Sequence, residues 1–462
     1  PPAFKGDVME FCVYGRVRLS FVASACVALL LGLAMPGTGQ AEGMMEVYLQ
    51  AQQNDPLLKG AYYQQLSVKE GQRQALAKLL PTLTAFGEDT DTSQDIKSSD
   101  NTVYGSGTSD YDTTTYGLTL TQPLFRWDNI AGYQKSKVES LQAEAEYLVA
   151  QQELITRVAG LYLDALSARD QLHYVETEMA AVEKHYELAS GRHQMGLIPV
   201  TDLHDAKARL ATIRAKAIEA QNQLDDALQA LSEVTGTTII DLNDLQASIP
   251  LVSPEPADVA TWITSGLEQN PAIVLHQHAV EAARREVSRQ QGGHYPTLDL
   301  VGSYSDEETD GSLFGGGSEV EDIDITLELN LPLYQGGEIS SRVRQAKHEL
   351  SYSEQELTRQ QRTVTRQVRS AYLGVQTSLS RVEALQQSIV SNQLALEAKQ
   401  EGFMSGLYTS LNVLDAERDL SLVSIDYSRA RYDYILNSLK LRQAVGTLAD
   451  SDLAEIDLWF IQ

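Results

Sequence analysis

The sequence predicts a mainly α-helical fold joined to a transmembrane β-sheet, with four strands and long antiparallel helices in two structural repeats. Three observations predict it. Gly196-Leu197, Asp205-Ala206, Leu210 and Gly236 return 210 residues later as Gly406-Leu407, Asp415-Ala416, Leu420 and Gly446. Proline is absent between Pro123 and Pro199 and again after Pro332, so no helix there is interrupted by a missing donor. Between these stretches the apolar period falls to two: Ile323, Ile325, Leu327, Leu329, Leu331 and Leu333 alternate with Asp324, Thr326, Glu328 and Asn330. One apolar and one acidic face over about ten residues is the pattern of a membrane-barrel strand.

The amino end reads as an export signal over residues 1–41: Arg16 and Arg18, the apolar run from Phe21 to Leu33, and Gly39-Gln40-Ala41 as a small-x-small cleavage site. Met9 is the expected initiator, which makes 1–8 untranslated-start residues, and Glu42 the expected mature start. Both cysteines, Cys12 and Cys26, precede that cut, leaving the mature chain without thiols. Repeat one is expected over 42–236, a linker over 237–262, repeat two over 263–446 and a carboxyl-terminal segment over 447–462.

Repeat one opens with a helix from Pro56 to about Leu80, capped by Asp55. Strands follow at Thr82 to Gly87 and at Tyr116, Leu118 and Leu120 against Gly117, Thr119 and Thr121. A helix from about Asn129 to Met195 then runs roughly 100 Å. Its stripe keeps a seven-residue spacing in Val158, Ala165, Leu172, Met179 and Tyr186, and again in Leu161, Ala168, Val175, Val182 and Ala189, wide enough for two neighbours. Gly196 suits the left-handed stop and Pro199 the first position of a return helix, Val200 to Val234. Repeat two matches, with Asn270 capping Pro271, a strand from Thr297 to Ser305, a long helix from about Ile339, a turn at Ser405-Gly406 and a return helix to Val445. Pro123-Leu124-Phe125 and Pro332-Leu333-Tyr334 are 209 apart, whereas Pro81-Thr82-Leu83 and Pro296-Thr297-Leu298 are 215 apart. One hairpin connection is therefore about six residues longer, as surface loops allow. The expected loops, Glu88 to Asp112 and Asp306 to Asp322, are rich in Asp, Ser, Thr and Gly.

Four strands cannot close around water, and open edges are not tolerated in lipid, so chains must pool their strands above a tube of helices. A net charge of −27 excludes the basic grooves of a nucleic-acid binder and suits an acidic, cation-friendly lumen or a plain acidic surface. His276, His278 and His294 lack metal-site spacing, since neighbours two apart on a helix face apart. Gly315-Gly316-Gly317 lacks the Lys-Ser/Thr of a phosphate cradle. Tyr304, Phe314, Tyr334, Phe125 and Trp127 lie near strand ends, where interfacial girdles and plain packing are both open readings. No nucleophile, paired-acid or cofactor arrangement stands out, so neither an enzyme nor a cofactor is expected.

The runs Gly293-His294-Tyr295-Pro296-Thr297-Leu298-Asp299-Leu300 and Leu331-Pro332-Leu333-Tyr334-Gln335-Gly336-Gly337, with the turns Gly196-Leu197-Ile198-Pro199-Val200-Thr201-Asp202 and Gly406 to Asp415-Ala416, closely resemble the TolC-type outer membrane factors. The resemblance covers about Met44 to Thr447. It implies a homotrimer, a trimeric β-barrel in outer-membrane lipid continued by an α-helical barrel through the periplasm, with Thr237 to Trp262 and the segment after Gly446 as an equatorial belt. It implies an exit duct for drug efflux or type I secretion, docked at the tips Gly196, Leu197, Gly406 and Leu407 to a periplasmic membrane-fusion adaptor and an inner-membrane transporter, ABC or proton-driven. It also implies a gate. Asp202 matches a latch aspartate whose tyrosine and arginine partners are here Phe403 and Tyr408, and two pore aspartates match Asn412 and Asp415. An Arg–Asp latch cannot form with these residues, though a Tyr408 hydroxyl could donate to Asp202. Three Asp415 carboxylates about 6 Å apart would repel by about 0.7 kcal/mol per pair in water and about 3 kcal/mol at an effective dielectric of 20; an ordinary capping or solvated Asp415 is the other reading. The alternatives to a channel are a periplasmic coiled-coil adaptor and a secreted hydrolase.

Overall fold

The computed structural model describes residues 41–98, 100, 106–311 and 316–461. Residues 1–40 of the expected signal peptide, Phe314 and Gly315 lie outside them. Repeat one comprises α1 (Met44–Asn54), α2 (Pro56–Ala77), β1 (Thr82–Ile96), β2 (Gly107–Phe125), α3 (Trp127–Gln194) and α4 (Val200–Thr235). Repeat two comprises α5 (Val259–Gln269), α6 (Pro271–Gln291), a 3-10 turn at Gly292–His294, β3 (Thr297–Thr309), β4 (Ser318–Asn330), α7 (Glu338–Met404) and α8 (Ser410–Val445), with α9 (Asp450–Asp457) last.

The caps follow from local chemistry. Asp55 accepts from Leu58 N at 2.8 Å and Asn270 from Ala272 N at 2.9 Å, each just before a proline whose missing N–H is no loss at a helix start. Pro199 differs from expectation: its ψ of 155° makes it the N-cap, and Val200 is the first helical residue. Helix α1 and its counterpart α5 were not expected, and α5 starts inside the segment assigned to the linker. Met44, Val47, Tyr48 and Ala51 form the buried face of α1.

The core gathers around the middle of the long helices. There α1, Leu154 to Leu166 of α3, Val364 to Val375 of α7, the upper part of α8 and α9 bury their apolar faces together. Tyr162 stacks edge-on against Phe460 at 5.4 Å and donates to Glu42 O at 2.9 Å, while Tyr48 donates to Asp450 at 2.6 Å. Each fully buried large side chain contributes about 1.5 to 3 kcal/mol. Away from this belt the helices pair as antiparallel ribbons, α3 with α4 and α7 with α8, joined where α3 meets α8. A small lower cluster of Val182, Leu210 and Ile213, with Val175, Met179, Tyr186 and Leu414 against it, uses the predicted heptad stripe.

The sheet has the order β1-β2-β3-β4, antiparallel throughout. The strands outrun the expectation: Thr82 pairs with Thr121 and the ladder continues to Ile96 opposite Gly107. The residues assigned to loops thus include paired strand, because Thr-rich polar backbone completes its hydrogen bonds with a neighbour just as apolar backbone does. The six extra residues of repeat one lengthen both strands as well as the turn between them. At its other end β4 stops at Asn330 and not at Leu333. Thr297, the first residue of β3, already pairs with Asn330, and Pro332 has no N–H to offer.

Candidate functional site

Register sorts the sheet into two faces. One carries the cross-strand rows Leu83–Leu120–Gly302–Ile325 and Ala85–Leu118–Tyr304–Ile323, with Leu300–Leu327 and Leu298–Leu329 below. The other carries Thr84–Thr119–Ser303–Asp324 and Phe86–Gly117–Ser305–Asp322, ending in Asp299–Glu328. Ile325 is 80% exposed in the single chain, a cost that water would not let an apolar band keep. Strands β1 and β4 each have one unpaired edge. On the polar face Phe86 covers Gly117 so closely that a Cβ there would lie 2.5 Å from the ring and 2.9 Å from Tyr304 O.

The joint between sheet and helices is clamped. Arg126, the single residue between β2 and α3, donates from Nε to Asp299 Oδ1 at 2.9 Å and from its terminal nitrogen to Oδ2 at 2.6 Å. Asp299 is 4% exposed, so this bidentate pair is of the strong kind. Trp127 packs edge-on against Tyr295 at 6.0 Å and donates to Ser288 at 3.3 Å. In this chain Trp127 is thus a packing residue, while Tyr334 is exposed.

At the opposite end the two turns repeat each other. Gly196 and Gly406 hold φ of +73° and +77°, where a Cβ would clash with its own carbonyl. Leu197 N donates to Arg192 O at 2.9 Å and Leu407 N to Gly402 O at 2.8 Å, closing both helix ends alike. Leu197 and Leu407 stand exposed at the tips.

The expected gate residues cluster just above these turns, with partners that the sequence did not reveal. Asp202 sits exposed in the first turn of α4, where the helix dipole favours it, and accepts from Thr201 at 3.3 Å. The suggested Tyr408 to Asp202 hydrogen bond is not among the contacts of the described residues. The Tyr408 ring instead folds over Gly402, where any Cβ would meet it at 2.3 Å. Phe403 is half-buried against α3 and α8. Asn412 closes a capping box: its side-chain oxygen accepts from Thr409 N at 3.0 Å and from Thr409 Oγ1 at 2.8 Å. Asp415 is not a bare acid. Arg209 of α4 reaches it at 3.6 Å and Arg418 at 3.7 Å. Each pair is well exposed and contributes at most about 1 kcal/mol, and Arg418 lies nearer still to Asp419, at 3.0 Å. Arg209 lacks any sequence signal because its role depends on where α4 passes α8.

Elsewhere, no group of three metal-ligating side chains occurs among the described residues. Burial, with Arg359 nearby, lowers the His276 imidazole below its ordinary value. No described helix is long and apolar enough to cross a membrane.

A family model described as outer membrane efflux protein matches residues 47–237 and 262–447. The outer membrane protein TolC of Vibrio cholerae serotype O1 is 32% identical over 419 residues, covering 90% of this chain and 93% of that protein. The alkaline protease secretion protein AprF of Pseudomonas aeruginosa is 27% identical, covering 91% of this chain and 88% of that protein. In fold, the outer membrane channel CmeC of Campylobacter jejuni superposes with a TM-score of 0.77 at 19% identity, over 91% of this chain and 90% of that one. The adaptor alternative finds no support in these matches.

Proposed function

The chain belongs to the outer membrane efflux protein family, and from that premise we propose that three copies assemble into an exit duct for drug efflux or type I protein secretion. The protein is an outer-membrane channel that reaches into the periplasm. The sheet carries the reading: one apolar face, one acidic face and two open edges cannot exist alone in lipid. They are satisfied when β1 of one copy pairs with β4 of the next. The apolar rows then meet lipid, and Asp322, Asp324 and Glu328 line the bore. Conduction is passive, with no catalytic step in the duct.

The helix-turn ends form the periplasmic gate. Asp202, Phe403 and Tyr408 form its latch region, Asn412 and Asp415 its constriction, and Gly196, Leu197, Gly406 and Leu407 the tips that a membrane-fusion adaptor contacts beneath an inner-membrane transporter. The Arg209–Asp415 pair links the two helix ribbons of one chain, so opening separates that pair. Relatives named for efflux, such as BepC of Brucella suis, and for protease secretion support both cargo classes. Deleting the gene and measuring drug susceptibility and the secreted proteome separates them. Purified protein is expected to be trimeric and to raise conductance in planar lipid bilayers; a monomer that leaves bilayers silent refutes the duct.

A further inference from the structure

A groove of about 770 Å³ lies between α3 and the α7–α8 ribbon, just above the turn at Gly406. That size accommodates a drug-like molecule. Leu188, Leu396, Phe403, Leu414 and Leu420 are the largest apolar side chains of its wall. Its charged groups are unbalanced: Glu176, Glu178 and Glu417 against Lys184, with the hydroxyls of Thr177, Ser410 and Ser421 beside them. His173 and His185 complete the titratable lining. Burial, reinforced by Arg209 and Arg192, lowers the His185 imidazole below its ordinary value, so it adds little positive charge at neutral pH.

Glu417 is the unusual member. Burial raises its carboxyl above the ordinary range, with Gln400 and the more distant Lys184 offsetting this only in part. A half-buried carboxylate facing an apolar groove gains most from a cation that brings its own apolar body, because that ligand removes water without stranding charge. The Phe403 ring adds a face on which an onium group can rest. Because the walls come from α3, α7 and α8 of one chain, the groove is complete before any second copy is added.

We propose that this groove binds an amphiphilic organic cation, its charge beside Glu417 and its hydrocarbon body among the leucines and Phe403. A bound cation spans both repeats near the gate, so it favours the gate state in which α3 and α8 stand this close. That consequence rests on the channel reading; the binding itself does not.

The test is equilibrium dialysis of tetraphenylphosphonium against the purified full-length assembly in a neutral detergent. One saturable site per chain is expected, weakened at least tenfold by Glu417→Gln and abolished by Ala180→Trp, which fills the groove from an exposed position on α3. Thermal melts report whether both variants fold, and Glu417→Gln alone decides if the tryptophan variant does not. Absence of saturable binding, or equal affinity in Glu417→Gln, overturns the site. So does loss of binding in Asp415→Asn with Glu417→Gln unaffected, which places the cation at the constriction. Failed bilayer conductance with intact binding refutes the duct and leaves the site standing.

Discussion

Gly446 and Gly196 share a left-handed turn but not a neighbourhood. At Gly446, φ is +93° and a Cβ would lie 2.7 Å from both Asn270 Cα and Gln269 O; at Gly196, nothing stands within 4 Å. Gly196→Ala is therefore expected to cost only the backbone term, about 1 kcal/mol, whereas Gly446→Ala adds a clash with main chain that cannot rotate away. Thermal melts of the two variants should rank them in that order. Arg209 and Asp415 invite a charge exchange. Arg209→Asp or Asp415→Arg alone should raise the open probability of single channels, and the double exchange should restore closure; with about 1 kcal/mol per pair, each contact accounts for roughly a fivefold shift. The residue scale is where the sequence was least legible. Asn412 and Asp415 stand out only through the family resemblance, and their partners could not be read at all, since capping geometry and the passage of α4 beside α8 are set by packing.

At the scale of elements, helix α6 is tied to α3 through Glu286. Hydrogen bonds from Arg289, supported by Gln290 and by Lys135 at 3.2 Å, hold this carboxyl down at about 2 from an ordinary 4.5. A depressed carboxyl stabilises the fold above its unfolded value and loses that contribution as pH falls toward 2. The melting temperature should be flat from neutral pH to about 5 and drop below 4.5. Glu286→Gln should shallow that drop and lower stability at pH 7 by an amount on the order of 1 to 3 kcal/mol. The two repeats also solve one capping problem differently. Asp55 is 2% exposed and bonds Arg157 at 2.6 Å, whereas Asn270, its counterpart, donates to Ala444 O at 2.8 Å. Asp55→Asn alone leaves a guanidinium without its carboxylate and should lower the urea midpoint; adding Arg157→Gln, which copies Gln367 in the other repeat, should recover part of it. The long helices were readable because proline gaps and heptads survive any packing. Short α1 and α5 escaped because each is barely three turns long and its buried face is intelligible only against the belt.

For the whole molecule, the acidic face of the sheet makes a measurable claim. If Asp322, Asp324 and Glu328 line the bore, the reversal potential under a potassium chloride gradient should show cation preference, and replacing all three with their amides should move it toward zero. An unchanged potential would put the selective step elsewhere. The two-faced sheet was visible in the alternation of β4, while the reach of its polar ends was not, because alternation fades where both faces are wet. One contrast between the repeats bears on how such a duct could move. Strand β2 passes into α3 through Arg126 alone, bolted to Asp299, but β4 reaches α8's partner α7 through seven residues, including Gly336 and Gly337 at φ of +60° and +84°. Around a threefold assembly, stiff and slack couplings would alternate, so the shafts below could counter-rotate like the blades of an iris while the collar in the lipid keeps its register.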